Sequence, residues 1–268
     1  MEKGIYHARK KDNTPYYRVS ITYKSKHISL GSTSDLDTAK AIYSEAKRIL
    51  KYPKKYFVDP DNKNIGYKNM HISLDKYIVL TNFRDNGIYI KTPIYLQKKS
   101  FLYFLSESVI LTFSIDDLFY YSNHTIQTRG GYYFVSDYGM QTSILSRYGI
   151  KNHSVKGTDY IFKNGDDHDY RYENVYVVNK YVGVSQIEKN GRIVFKTKIH
   201  INGLYTVGIY SSENEAAMAY NKAVELVTKK LDKNYAKNYI EGLSSVEYAA
   251  LYNSVRLKKT FRDYVEKL

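Results

Sequence analysis

The sequence predicts an α+β protein built around two small modules, each a three-stranded antiparallel sheet with one helix. Three observations predict this class. Segments of alternating polar and apolar residues suit strands, an apolar stripe at helical spacing follows them, and the whole pattern recurs near both ends of the chain. Apolar residues make up 43% of the 268 positions, which is enough for a core. The chain contains no cysteine, so disulfides and thiolate metal sites are excluded.

The strands of the two modules follow the same order. The first module, expected at residues 1–52, opens with Gly4 and Ile5 and continues with strands at residues 17–22 and 28–31. The second, expected at residues 181–235, opens with Gly183 and Val184 and continues with strands at residues 195–200 and 205–208. An asparagine-glycine pair at residues 202–203 predicts a tight hairpin in the second module.

A helix is expected after the strands of each module. Counted from Gly31 and from Gly208, an alanine, a tyrosine and an alanine recur at offsets of 8, 12 and 15 residues. That spacing places all three side chains on one face of a helix, and alanines allow close packing on a sheet. The residues are Ala39, Tyr43 and Ala46 in the first copy and Ala216, Tyr220 and Ala223 in the second.

The repeated unit resembles the plant ethylene-response-factor (APETALA-type) DNA-binding domain and its relatives in bacterial and phage integrases and homing endonucleases. The resemblance is carried by Gly183 and Val184, the strand ending at Ile199, and residues 205–210 and 215–221, so the second copy is the closer match. In that family the sheet enters the major groove. The resemblance therefore implies double-stranded DNA as the partner, read by outward strand side chains. A small twisted sheet fits a groove roughly 12 Å wide.

The charge agrees with a polyanionic partner, since 41 Lys and Arg against 27 Asp and Glu give a net charge of +14. An anionic membrane surface and an evenly spread solubility charge are the alternatives. Each basic row could also be an ordinary solvated sheet face. The expected DNA-binding residues are Arg9, Lys11, Arg18, Ser20, Thr22, Lys26, His27 and Ser29 in the first module and Gln186, Arg192, Lys196, Lys198, His200 and Thr206 in the second.

The middle of the chain is expected to form a linker and a central domain. Two prolines and few apolar residues predict the linker at residues 53–70, and the central α+β domain follows at residues 71–180. Within it, turn residues and apolar runs predict short helices at residues 100–106, 114–122 and 140–148 and a strand at residues 132–136.

Residues 159–175 resemble the HNH endonuclease motif of phage and intron-borne enzymes. The resemblance rests on the spacing of Gly165, Asp169, Arg171 and Asn174, with Asn179 further on. We interpret Asp169 and Arg171 as a structural pair, and Asn174 as the residue that tethers the loop to a following helix, as the family's asparagine does.

The catalytic residues of that family are missing here. A pair of histidines precedes the turn in the family, where one activates water and a neighbouring residue binds the metal. Ile161 and Phe162 occupy those places, and apolar side chains can do neither. We therefore expect a structural remnant with no catalytic residue, metal or cofactor. The rival hypothesis is an active HNH-type homing endonuclease that uses His168 or His153 with Mg²⁺ or Mn²⁺.

The end of the chain, residues 236–268, predicts an amphipathic helix that begins at Ser244 or Ser245, with Glu247 in its first turn. We expect its stripe to pack on the protein's own body, and a homodimer through this helix is the alternative. The stripe consists of Val246, Ala250, Leu257, Phe261, Val265 and Leu268.

These patterns together predict a non-catalytic, sequence-specific DNA-binding protein, a transcriptional regulator of a bacterium or phage descended from a mobile-element endonuclease. A central domain that binds a ligand or a protein is a third hypothesis. No segment has the length and apolarity of a membrane span or a secretory signal, so the expected location is the cytoplasm, in association with the nucleoid.

Overall fold

The structure is a computed structural model that describes residues 3–137, 139–152 and 154–268. The chain divides into two compact units. One runs to Ile144 and includes Asn164–Val175, and the other consists of Leu145–Lys163 and Tyr176–Leu268. Both units combine helices with antiparallel sheets, which confirms the predicted α+β class. Among the described residues, no helix combines the length and the apolarity that a membrane crossing requires.

The first unit begins with the first predicted module. Its three strands pair in chain order to form one sheet, and the helix lies against one face. Ala39 and Ala46 are fully buried there, so the helix backbone approaches the sheet closely. Asp35 caps the helix by accepting a hydrogen bond from the backbone N of Thr38 at 2.7 Å. The bounds are β1 Ile5–Arg9, β2 Pro15–Tyr23, β3 Lys26–Thr33 and α1 Leu36–Lys51.

The segment expected as a linker is folded into this unit. Tyr56, Val58 and Ile65 are buried in the same apolar core as the first sheet and α1. The next helix, which the sequence did not indicate, buries every residue from 77 to 83. The first module therefore shares its core with the residues that follow it. The bounds are β4 Val58–Asp59, β5 Asn64–Ile65 and α2 Leu74–Asn86.

A buried carboxylate also joins the first module to its neighbour. Glu45 of α1 accepts hydrogen bonds from the backbone N atoms of His71 and Ile72, each at 2.9 Å. Because a buried carboxylate without donors is costly, these bonds hold the chain before α2 against α1.

Two further sheets complete the first unit. The helix expected at residues 114–122 and the strand expected at residues 132–136 are confirmed, whereas residues 100–104 form a strand and residues 140–143 another. Residues 101–104 of the strand at 100–104 are all buried, and such a continuous apolar run does not distinguish a buried strand from a helix. The bounds are β6 Ile94–Leu96, β7 Ser100–Phe104, β8 Ile110–Ser114, a 3₁₀ turn Ile115–Asp117, α3 Leu118–Asn123, β9 Ile126–Arg129, β10 Tyr132–Asp137, β11 Met140–Ser143 and a 3₁₀ turn Ile144–Tyr148.

The motif that resembles an HNH endonuclease contributes three short strands, which are β12 Tyr160–Phe162, β13 Asp169–Tyr170 and β14 Val175–Val177. β13 runs parallel to β8 and becomes the fourth strand of the sheet with the order β13-β8-β7-β6. β12 pairs with β14. The residues after Asn174 thus form a strand, and the helix that the resemblance implied there is absent from the described residues.

The second unit contains the second predicted module. Its three strands again pair in chain order to form one sheet, and the helix lies on one face with Ala216 and Ala223 fully buried. Ser212 and Glu215 form a capping box at the start of the helix. The bounds are β15 Val184–Lys189, β16 Arg192–His200, β17 Leu204–Tyr210 and α4 Glu213–Thr228.

The two modules share an irregularity that confirms the internal repeat. The register shifts after Val19 of β2, opposite Gly31, and after Thr197 of β16, opposite Gly208. These shifts are β-bulges, which increase the twist of a sheet. The carbonyl of the opening glycine accepts a hydrogen bond from the central strand in both copies, from Ser20 N at 2.9 Å and from Lys198 N at 2.7 Å.

A glycine and a tyrosine pack together at the same place in both modules. Gly4 has a φ of 86° and Gly183 a φ of 72°, values that favour glycine. A Cβ on Gly4 would overlap the ring of Tyr43, and one on Gly183 would overlap the ring of Tyr220 and the carbonyl of Lys198. Any larger residue would push the helix away from the sheet.

The C-terminal segment forms two helices, α5 Ser245–Ser254 and α6 Lys259–Glu266, so the single predicted helix is wrong. The start is confirmed, because Ser244 and Glu247 form a capping box. Phe261 and Val265 are buried in the core of the second unit, whereas Val246 is 79% exposed. The buried stripe of the C-terminal segment therefore does not reach back to Val246, although the sequence predicted that it would. The homodimer through this segment stays a prediction.

We expect Gly183→Ala to lower the free energy of unfolding by about 3 kcal/mol, because it adds a clash to an unfavourable φ. Gly191 is the matched control, since it also has a φ of 72° but no atom lies within 4 Å of its added Cβ. Gly191→Ala should cost about 1 kcal/mol. Urea denaturation measures both, and equal losses would contradict close packing of Gly183 on Tyr220.

Candidate nucleic-acid interface

The face of the first sheet opposite α1 is uncovered. Directly opposite residues of paired strands point to the same face, so the register assigns each side chain to a face. Val19 and Ile21 point toward α1 and are buried. The outward positions are Tyr6, Ala8, Tyr16, Arg18, Ser20, Thr22, His27, Ser29 and Ser32.

Arg18 is the cation at the centre of this face, and a neighbour holds it. The hydroxyl of Tyr16 accepts hydrogen bonds from Arg18 Nε at 2.9 Å and from Nη2 at 2.7 Å. The guanidinium also lies 5.5 Å from the centroid of the Tyr16 ring. Because Arg18 is exposed and its orientation is fixed, its remaining N–H groups can donate to an anion outside the protein.

Of the residues expected to bind DNA in the first module, one is buried on the outward face and three lie elsewhere. Ser20 is only 6% exposed, because its short side chain sits on the central strand. Lys26 is opposite Tyr23, which points inward, and its ammonium lies 4.9 Å from the centroid of the Tyr89 ring. By alternation Arg9 points to the same face as Ile5, and Lys11 lies in the turn after β1. Thr22, His27 and Ser29 are exposed on the outward face, as expected.

The second sheet presents a more basic outward face. Four cations, Lys189, Arg192, Lys196 and Lys198, point outward along β15 and β16. His200 and Thr206 are also on this face, as predicted. Exposed apolar side chains lie beside them, with Leu204 at 64% and Ile209 at 43% exposure. The full set of outward positions is Ser185, Ile187, Lys189, Arg192, Val194, Lys196, Lys198, His200, Leu204, Thr206 and Ile209.

Gln186, an expected DNA-binding residue, does not lie on the outward face. It is directly opposite Phe195, so it points to the helix side of the sheet. Lys189, Ile209 and Tyr16 are outward residues that the sequence reasoning missed. A second asparagine-glycine pair, Asn190 and Gly191, predicts the hairpin between β15 and β16. The register of that hairpin gives the face of the sheet to which Lys189 points.

The two outward faces share one electrostatic property: none of their positions is an Asp or Glu. Glu188, the carboxylate within β15, is opposite Ile193 and points to the other face. An ordinary solvated face in a chain with 27 acidic residues would carry both signs of charge. The separation of charge by face favours a polyanion on the outward side.

The residues of the HNH-like loop form a closed polar network. Asn174 Oδ1 accepts from Asn164 N at 2.8 Å, and Asn174 Nδ2 donates to the carbonyl of Asp169 at 2.7 Å. Asn174 therefore joins two other residues of the same loop, Asn164 and Asp169. Gly165 provides the turn with a φ of 80°. Ile161 lies on β12, 37% exposed, and Phe162 follows it.

Asp169 and Arg171 form the structural pair that the sequence predicted. Arg171 donates to the buried carboxylate through Nε at 2.9 Å and through Nη2 at 2.6 Å, and Asn164 Nδ2 donates at 2.8 Å. Burial raises the pKa of Asp169, but the hydrogen bonds and charge of Arg171 lower it by more, so the pKa lies below its usual value. The carboxylate is thus ionised and occupied by protein donors.

Asp166, Asp167 and His168 form the cluster of potential metal ligands in the described residues. Each has protein partners. Lys63 Nζ lies 3.0 Å from Asp166 Oδ2, and His168 Nε2 lies 3.1 Å from the hydroxyl of Tyr133. His168 Nδ1 lies 3.6 Å from Asp167. An exposed acidic group with a cation already beside it does not indicate a bound ion. His153, the other histidine of the nuclease hypothesis, lies outside the described residues.

Comparisons with known proteins identify no relative: no protein-family model, curated protein or solved structure matches the chain. The resemblances to the APETALA-type and HNH families therefore stay predictions.

We expect Asp169→Asn to lower the free energy of unfolding by about 2 kcal/mol at pH 7, because a neutral amide replaces the buried, ionised acceptor of Arg171 and Asn164. The pKa of Asp169 is depressed in the folded state, so its contribution is present above about pH 4 and lost as the pH falls further. Urea denaturation at pH 7, 5 and 3.5 should show the difference from wild type shrinking at the lowest pH. Asp116→Asn, at an exposed carboxylate, is the control, and an equal effect of both changes would contradict this role.

Proposed function

We propose that the protein binds double-stranded DNA in a sequence-specific manner through the outward faces of its two three-stranded sheets. The observation that carries the proposal is the charge separation: both outward faces lack carboxylates, and the second presents four cations. The resemblance of the repeat to APETALA-type domains supports the same faces independently. In this proposal the protein acts as a transcriptional regulator in a bacterium or phage.

The residue types on the two faces suit both parts of DNA recognition. Lysine and arginine donate to phosphates or to guanine edges, and serine and threonine serve either purpose. Arg18 would arrive already oriented by Tyr16, so its binding loses less conformational freedom. Leu204 and Ile209 can contact thymine methyl groups, which adds discrimination without charge.

The two modules contribute differently in this proposal. The second face has four cations and supplies most of the attraction to phosphates, whereas the first has Arg18 with hydroxyl-bearing side chains around it. Two modules on one chain act at a high effective concentration, so two modest contacts give a tight complex. The APETALA-type and HNH resemblances together support descent from a mobile-element endonuclease that retained its DNA-reading modules.

If the two faces neutralise about six phosphates, the logarithm of the association constant should fall with the logarithm of salt concentration with a slope of roughly −5. Lys196→Ala should weaken binding to a selected duplex and reduce the magnitude of the slope by about 1. Lys259→Ala, at an exposed lysine of α6, removes the same charge and should change neither quantity. Binding that does not respond to salt would overturn the proposal, whereas metal-dependent nicking of plasmid by the wild type would support the rival endonuclease hypothesis.

The first module offers a pair of arginines on opposite faces of one sheet. We expect Arg18→Ala to weaken duplex binding by about tenfold and to relax the preferred sequence, because a directed donor is lost. Arg9→Ala should leave both unchanged, since by alternation Arg9 points to the other face. Fluorescence anisotropy on selected and scrambled duplexes measures both effects. Equal losses for the two variants would show that the outward face of the first sheet is not the reader.

A further inference from the structure

A cavity of about 380 Å³ adjoins the outward face of the second sheet. Ser185, Lys198 and Leu204, all outward positions of that sheet, line it. Lys151 and Ser154, from the same unit, also line it. The cavity is therefore continuous with the surface that we propose for DNA.

The cavity is rich in hydrogen-bond donors and positive charge. Among the described residues, neither Lys151 nor Lys198 forms an ion pair with a carboxylate, whereas Lys180 is paired with Glu241 at 2.9 Å. The one carboxylate of the lining, Asp159, already accepts from the backbone N of Val155 at 2.7 Å and from Asn179 Nδ2 at 2.8 Å. Two ammonium groups and the hydroxyls of the lining serines thus remain for a ligand.

Partial desolvation lowers the pKa of the Lys151 ammonium, and no carboxylate of the described residues forms an ion pair with it. An anion placed between the two lysines would offset the cost of that desolvation. Phosphate suits the site, since its several oxygens can accept from two ammonium groups and from hydroxyls at once.

We propose that this cavity binds a phosphate group between Lys151 and Lys198. The group can come from two sources. In the first, which rests on the proposed function, it is a backbone phosphate of the duplex on the second sheet. In the second it is carried by a small phosphorylated molecule, and its binding beside the outward face would compete with DNA.

The test uses the full-length protein and two probes, inorganic phosphate and a selected duplex. Lys151→Met is the variant, and Lys259→Met removes an equal charge outside the cavity. Phosphate binding is measured by ³¹P line broadening, and duplex affinity by anisotropy over a salt series at matched ionic strength. Circular dichroism melting confirms that both variants are folded.

If the group is a DNA phosphate, Lys151→Met should weaken duplex binding by about tenfold and reduce the magnitude of the salt slope by about 1. Added inorganic phosphate should then not displace the duplex. A small-molecule phosphate predicts that wild type binds inorganic phosphate, that Lys151→Met loses this binding, and that phosphate displaces the duplex. Either result supports the cavity as a phosphate site.

The inference is overturned if Lys151→Met matches wild type and Lys259→Met with both probes. That outcome differs from failure of the proposed function, in which the wild type does not retain duplex DNA at low salt. In that case the titration with inorganic phosphate still tests whether the cavity binds phosphate.

Discussion

The structure of both modules depends on one contact, in which an opening glycine receives the ring of a helix tyrosine. Gly4 with Tyr43 and Gly183 with Tyr220 bring the helix so close that alanines must fill the rest of the interface. The helix covers one face of each sheet, and the apolar side chains of the central strand turn toward it. Because side chains alternate along a strand, the remaining residues of β2 and β16 must point to the other face. The candidate interface follows from this packing rather than from a separate feature.

The repeated unit could be predicted because its signals are local. Helical spacing after Gly31 and Gly208 and alternation along β2 and β16 identified the helices and the central strands. The faces of the sheets to which Lys26 and Gln186 point could not be predicted in this way, because they depend on the turns and on the strand register. The turn before Lys26 has positive φ at Lys24 and Ser25, two residue types that give no hairpin signal.

Features that depend on distant contacts were not visible in the sequence. α2 is buried on all sides from residue 77 to residue 83, so it shows no apolar stripe. The short strands β4 and β5 pack into the core of the first module, although prolines suggested a linker. In the candidate interface the outward cations of the central strands, Arg18, Lys196 and Lys198, could be predicted from alternation. The cavity beside Lys198 could not, because Lys151 and Ser154 come together with the second sheet only in the folded unit.

The claim that the uncovered sheet faces bind DNA is tested most directly by photocrosslinking from single positions. p-Benzoylphenylalanine would replace Ile209 and Ser32, which point outward in the two modules, and Glu188, which points to the helix side of the second sheet. Our account predicts covalent transfer of a labelled duplex to the protein from the two outward positions and only background transfer from position 188. Transfer from position 188 that equals or exceeds the outward positions would contradict it.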